Sequence, residues 1–141
     1  MMLAVATYDE TRSVQDLPTI ELVEAMPGFP DARRFELAHL DESGILGTLR
    51  CLDQDGLQFL VVPATHFFPD YEPVVSDETV ASLGITAAQD VLLLLIVHAA
   101  QTLAETTVNL RAPLLVNTAT LKAAQVILDD ADLSVAASLL A

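Results

Sequence analysis

The hydrophobic pattern is clearest over Thr106–Leu128, TTVNLRAPLLVNTATLKAAQVIL. Val108 and Leu110 alternate with Asn109 and Arg111, so the spacing predicts a strand with the polar pair on one face. Pro113 interrupts it, and a residue without an N–H belongs at a bulge or a sheet edge. Leu114–Val116 resumes the apolar run, Asn117 and Thr118 end it in a turn, a short and helical link follows, and Gln125–Leu128 reads as a further strand. Similar alternation occurs at Thr19–Glu24, where Ile20 and Leu22 oppose Glu21 and Glu24, and at Phe35–His39. Ile45–Leu52 and Leu57–Val62 are joined by Asp53-Gln54-Asp55-Gly56, a hairpin signal. Val91–Val97 is apolar throughout and predicts a strand buried on both faces, with a helix as the competing reading, since seven residues cannot fix the period. The one well-marked helix is Ser76–Leu83: Ser76 can cap it, Asp77 and Glu78 suit its positive end, and Gly84 stops it.

Turn chemistry divides these elements. In Met26-Pro27-Gly28-Phe29, proline presets φ at the second position and glycine accepts positive φ at the third, a type II turn. Residues 1–17 are polar and mixed, and a loose start with a short first strand is expected. The tail from Leu133 to Ala141 is weakly patterned. Short strands, tight turns, one or two short helices and no βαβ rhythm predict one mainly antiparallel β domain over residues 1–141, closing in the manner of a barrel to protect its edges.

Composition narrows the functional classes. Over half of the residues, 52%, are hydrophobic, so the chain buries a core rather than staying disordered. A single cysteine, Cys51, allows no internal disulfide, and the start MMLAVATYDE has neither a basic segment nor a long apolar core. A cytoplasmic protein without a signal peptide or membrane span is therefore expected. Six Lys and Arg stand against twenty Asp and Glu, a net charge of −14. Nucleic acids and anionic membranes are bound largely through cations, so neither is an expected partner. The acidity serves solubility, or attracts a basic protein.

No residue set carries catalysis. His39, His66 and His98 are far apart, no second cysteine joins Cys51, and neither a nucleophile elbow nor a phosphate-binding loop is present. DQDG lacks the bidentate glutamate that closes a calcium loop. The pairs Asp129-Asp130 and Asp41-Glu42 fall in turns, where water solvates both carboxylates alike, whereas acid–base work needs two different environments. No cofactor, metal or catalytic residue is expected.

Two segments remain as candidate partner-binding surfaces. Phe67-Phe68-Pro69-Asp70-Tyr71-Glu72-Pro73 is held extended or turning by its prolines. It either plugs one end of the barrel with Phe67 and Tyr71, or presents Phe68, Asp70 and Tyr71 on a rigid edge. Asn109 and Arg111 form the second, with Arg111 either paired to a carboxylate or recognising a partner.

The chain resembles the bacterial flagellar assembly factor FliW family. The resemblance is carried by Thr107-Val108-Asn109-Leu110-Arg111-Ala112-Pro113, Asn117 and Gln125-Val126-Ile127-Leu128. Upstream it is carried by Pro27-Gly28-Phe29, by Leu57–Val62 running to Pro63, and by Phe68-Pro69-Asp70-Tyr71-Glu72. It spans roughly Ile20 to Leu140. The resemblance implies a compact, partly open β-barrel and a non-enzymatic factor with two partners. These are newly made flagellin and CsrA, a small basic translational regulator that binds RNA; sequestering CsrA would couple flagellin synthesis to secretion. A general chaperone for exported flagellar subunits is the alternative, and a small hydrolase using acidic residues a weaker one. The chain departs from the family pattern near its end, where Leu133 and Ala136 stand in place of an aromatic and a basic residue.

Overall fold

The computed structural model describes residues 2–4 and 17–139. The order of elements is β1 (Met2–Ala4), β2 (Leu17–Leu22), β3 (Arg34–His39), β4 (Gly47–Cys51), β5 (Gln58–Pro63), α1 (Ala64–Phe67), β6 (Val74–Ser76) and α2 (Asp77–Leu83). Then come β7 (Val91–His98), β8 (Thr107–Val108), β9 (Leu114–Asn117), β10 (Lys122–Gln125) and β11 (Ala137–Ser138).

Seven strands close into a ring in the order β7, β5, β4, β3, β2, β10, β9 and back to β7. The barrel is thus mainly β and mainly antiparallel as expected, and the β7–β9 pairing completes its circuit. One step differs: β10 runs parallel to β2, with Lys122 opposite Glu21 and Ala123 opposite Leu22. β8 extends the far end of β7, and β11 pairs with β8. β1 and β6 form a separate antiparallel pair.

Two apolar layers follow from the alternation. Ile20, Leu22, Phe35, Leu37, Leu49, Leu92, Leu94, Leu114 and Val116 come from strands all round the ring and fill its interior. Val91, Leu93, Leu95 and Leu115 point the other way and pack with Val62, Val75 and Leu83 in an outer layer beneath α2 and β6. β7 therefore buries both faces, which is why Val91–Val97 shows no polar alternation. Ser76 Oγ accepts the Thr79 N–H at 3.3 Å, and Gly84 leaves α2 at φ +67°. Buried Asn117 joins the layers: its side-chain amide donates to the Leu83 carbonyl at 2.8 Å, and its Oδ1 accepts from Ala119 N at 2.9 Å.

The turns read from the sequence are present. Phe29 N donates to the Met26 carbonyl at 3.0 Å with Gly28 at φ +88°. The hairpin between β4 and β5 turns through Gly56 at φ +83°. Its Asp53 is also a fastener: Oδ2 accepts Arg33 N and Arg34 N, and Oδ1 accepts from the Arg34 guanidinium at 2.7 and 2.9 Å. Those bonds hold the Asp53 carboxyl below its ordinary range. Asp41 is lowered likewise, chiefly by the Ser43 hydroxyl and further by backbone N–H groups of its own turn.

Four expectations are corrected. The strand over 107–111 ends at Val108, because Asn109 Oδ1 accepts the Arg111 N–H at 2.9 Å and bends the chain. Pro113 therefore precedes β9 rather than interrupting a strand. The Thr118–Leu121 link is a tight turn, not a helix, with Leu121 at φ +62° and its N–H on the Asn117 carbonyl. The strand expected at Gln125–Leu128 is Lys122–Gln125: its ladder with β9 ends opposite Leu114, because the next facing residue, Pro113, accepts the Val126 N–H but has no N–H to return. The single turn α1 was not expected from the sequence. Of the loose start predicted for residues 1–17, Met2–Ala4 is strand, Leu17 opens β2, and the remainder lies outside the described residues.

Candidate functional site

The two candidate segments meet. Tyr71 is buried, 7% exposed, and its hydroxyl donates to the carbonyl of Leu110, between Asn109 and Arg111. It packs in the outer layer, so it neither plugs the barrel interior nor stands on an exposed edge. Burial pushes its phenol well above the usual range. Phe68 is half-buried in the same layer, and its carbonyl accepts the Tyr71 N–H at 3.0 Å. Asp70 is the exposed member of that group.

Among the described residues, the hydrogen bonds of the Arg111 side chain go to backbone carbonyls rather than to a carboxylate. Its Nε donates to the Leu133 carbonyl at 2.7 Å, and a terminal nitrogen donates to the Ala131 carbonyl at 2.9 Å. The backbone completes this clamp: Leu128 N donates to the Arg111 carbonyl at 2.7 Å and Leu110 N to that of Ser134 at 2.9 Å. The guanidinium fork thus fixes the weakly patterned tail against the barrel. Asn109 and Arg111 do act as a pair, through one bent loop rather than one strand face.

Beside this loop lies an open cleft. Its larger part, about 640 Å³, separates β6 and α2 from residues 124–129 and is lined by Val74, Ile127, Val126, Glu24, Glu78 and Asp129 among others. A smaller part, about 260 Å³, adjoins it and is lined by Asp70, Tyr71, Glu72, Pro73, Asp130 and Leu133. Consecutive residues pass from one part to the other on both walls, Pro73 to Val74 and Asp129 to Asp130. Carboxylates rim both parts, and among the described residues no lysine or arginine lines either. Val74 and Ile127 are 53% and 66% exposed, large apolar side chains in an acidic surround. Sequence reasoning missed this cleft. The available signal was the apolar run Val126-Ile127-Leu128 set directly before Asp129-Asp130.

The remaining reactive side chains lie elsewhere. Cys51 is a free thiol buried in the barrel interior. His39, His66 and His98 are exposed on separate elements, and His66 packs edge-on against Phe67 at 4.9 Å. Among the described residues, no group of three or more His, Cys, Asp or Glu is placed to hold a metal ion. No helix among them is long and apolar enough to cross a membrane.

Fold and surface define a small closed β-barrel with a second apolar layer on one side and an open, acid-rimmed cleft along it. The chain belongs to the FliW family: the family model described as FliW protein matches residues 5–139. It is 32% identical over 116 residues to the flagellar assembly factor FliW of Clostridioides difficile, covering 82% of this chain and 89% of that one. To the Bacillus pumilus factor it is 32% identical over 129 residues, covering 92% and 90%. A crystal structure of the flagellar assembly factor FliW superposes with a TM-score of 0.81 at 26% identity, covering 97% of this chain and 96% of that one.

Proposed function

We propose that this flagellar assembly factor works in the cytoplasm without catalysing a reaction, by holding newly made flagellin and by antagonising a CsrA-type translational regulator. Flagellin leaving the cell would free the factor to sequester the regulator and so restrain further flagellin synthesis. The observation that carries this reading, beside family membership, is charge: twenty acidic residues against six basic ones. A strongly negative protein attracts a basic RNA-binding dimer and, once docked, repels RNA from it. Exposed charges are screened beyond about 8 Å at physiological salt, so the repulsion requires carboxylates close to the RNA path. The same charge makes direct binding of nucleic acid or anionic membrane unfavourable.

The test is RNA binding by the regulator, titrated with this protein across a salt series, with flagellin added as competitor. RNA is expected to be released, with association of the two proteins faster at low salt and dissociation changing less. Unchanged RNA binding at every salt concentration, with folded protein in excess, would overturn the antagonist role. Failure of flagellin to bind would overturn the coupling.

A further inference from the structure

The wall of the cleft formed by residues 124–129 is a strand edge with one side unused. Ala124 lies in the β9 ladder, and Val126 N and Leu128 N bond inward to the carbonyls of Pro113 and Arg111. Alternation then turns the peptide groups of Gln125 and Ile127 toward the opposite edge. One register earlier, that edge is occupied by β2, whose Val23 N donates to the Ala123 carbonyl at 2.9 Å. Beyond Ala123, β2 has left. Among the described residues, the outward peptide groups of Gln125 and Ile127 have no hydrogen-bond partner.

We propose that this edge accepts an extended peptide segment of another protein, which adds as a strand beside residues 125–129 and continues the line that β2 abandons. An open edge next to a cleft is the geometry of strand addition, in which backbone bonds give affinity and alternate side chains give selectivity. At about 3.3 Å per residue the wall accommodates a segment of about five residues. The cleft sets its chemistry. Val74 and Ile127 offer apolar contact, and Glu24, Glu78 and Asp129 surround them with no cation among the described lining residues. The fitting segment therefore alternates apolar with basic residues. The inference rests on this edge and cleft and holds whichever partners the proposed function identifies.

The probe is a fluorescent acetylated hexapeptide alternating lysine with valine, read by anisotropy and by amide hydrogen exchange of the full chain. Binding is expected to saturate and to protect the amides of Gln125 and Ile127. N-methylation of alternate peptide bonds removes donors while keeping every side chain and charge. It is expected to weaken binding at least about tenfold in one register and little in the other. Replacing lysine by glutamate is expected to abolish binding. Ile127→Glu removes an apolar contact but not the backbone edge, so exchanging valine for alanine in the peptide is expected to weaken binding to this variant less than it weakens binding to the wild type. Equal binding by both N-methylated registers would overturn strand addition in favour of charge attraction alone. Full protection of Ile127 without peptide would also overturn it: independent of protein concentration, it would mean that the chain covers its own edge, and rising with concentration, that a second copy does.

Discussion

The hydroxyl of Tyr71 donates a hydrogen bond to the backbone carbonyl of Leu110, joining two segments thirty-nine residues apart. The ring of Tyr71 is buried in the outer layer, and the acceptor stands in the loop whose next residue clamps the tail. One phenol therefore ties the Pro69–Pro73 segment to the anchoring of the C-terminal strand.

Tyr71→Phe keeps the ring and leaves the Leu110 carbonyl without its donor. A loss of about 1 to 3 kcal/mol is expected in denaturant unfolding. The phenol also carries a pH signature. Its pKa is raised in the folded state, so stability is full below the unfolded phenol value of about 10 and falls as pH rises above it. Tyr71→Phe is expected to flatten that alkaline decline, measured as unfolding midpoint against pH.

Arg111→Ala removes the donors to Leu133 and Ala131. It is expected to cost about 1 to 3 kcal/mol and to speed amide exchange from Leu128 to Ser138 more than in the barrel strands. Arg111→Lys is expected to restore little, since an ammonium does not reproduce the planar fork. A tail that exchanges as in the wild type would remove the clamp.

Gly28→Val tests the turn between β2 and β3. No atom lies within 4 Å of an added Cβ, so the cost is backbone strain alone at φ +88°. A loss above about 1 kcal/mol is expected by chemical denaturation, and Gly28→Asn is expected to lose less.

Asp53 is expected to titrate below the ordinary carboxylate range by carboxyl NMR, held down first by the Arg34 side chain. Its lowered value adds stability above the unfolded carboxylate range, and that stability is lost as pH falls through the folded value. Arg34→Gln removes the largest cause and is expected to raise the midpoint. The backbone donors Arg33 N and Arg34 N remain, so the return is partial.

The sequence made the barrel strands legible wherever one face was buried and the other wet. Ile20 and Leu22, then Phe35 and Leu37, sit in the interior as their alternation requires. Ser76 and Gly84 marked both ends of α2 because capping is local chemistry. Reading failed where a partner far along the chain decides. Val108 and Leu110 alternate correctly, yet an Asn109 side-chain bond ends the strand between them. The Val126-Ile127-Leu128 run has strand composition, but Pro113, facing Val126, cannot return a hydrogen bond and the regular ladder stops. The burial of Tyr71 and the contacts of Arg111 depend on segments folded against them, and neither leaves a periodic trace. The cleft was hidden for the same reason, since its walls come from segments well separated along the chain, Val74 to Ser82 and Ala124 to Asp129.

The parallel pairing of β10 with β2 also sets an order of events during synthesis. β2 pairs with β3, β3 with β4 and β4 with β5, each with its neighbour in sequence, so these strands can pair early. Its other neighbour is Lys122–Ala123, roughly a hundred residues later. Until that stretch has left the ribosome, the nascent chain displays β2 as an open edge carrying Ile20 and Leu22. Ring closure is then a contact of high order, formed late and slowly compared with the hairpins.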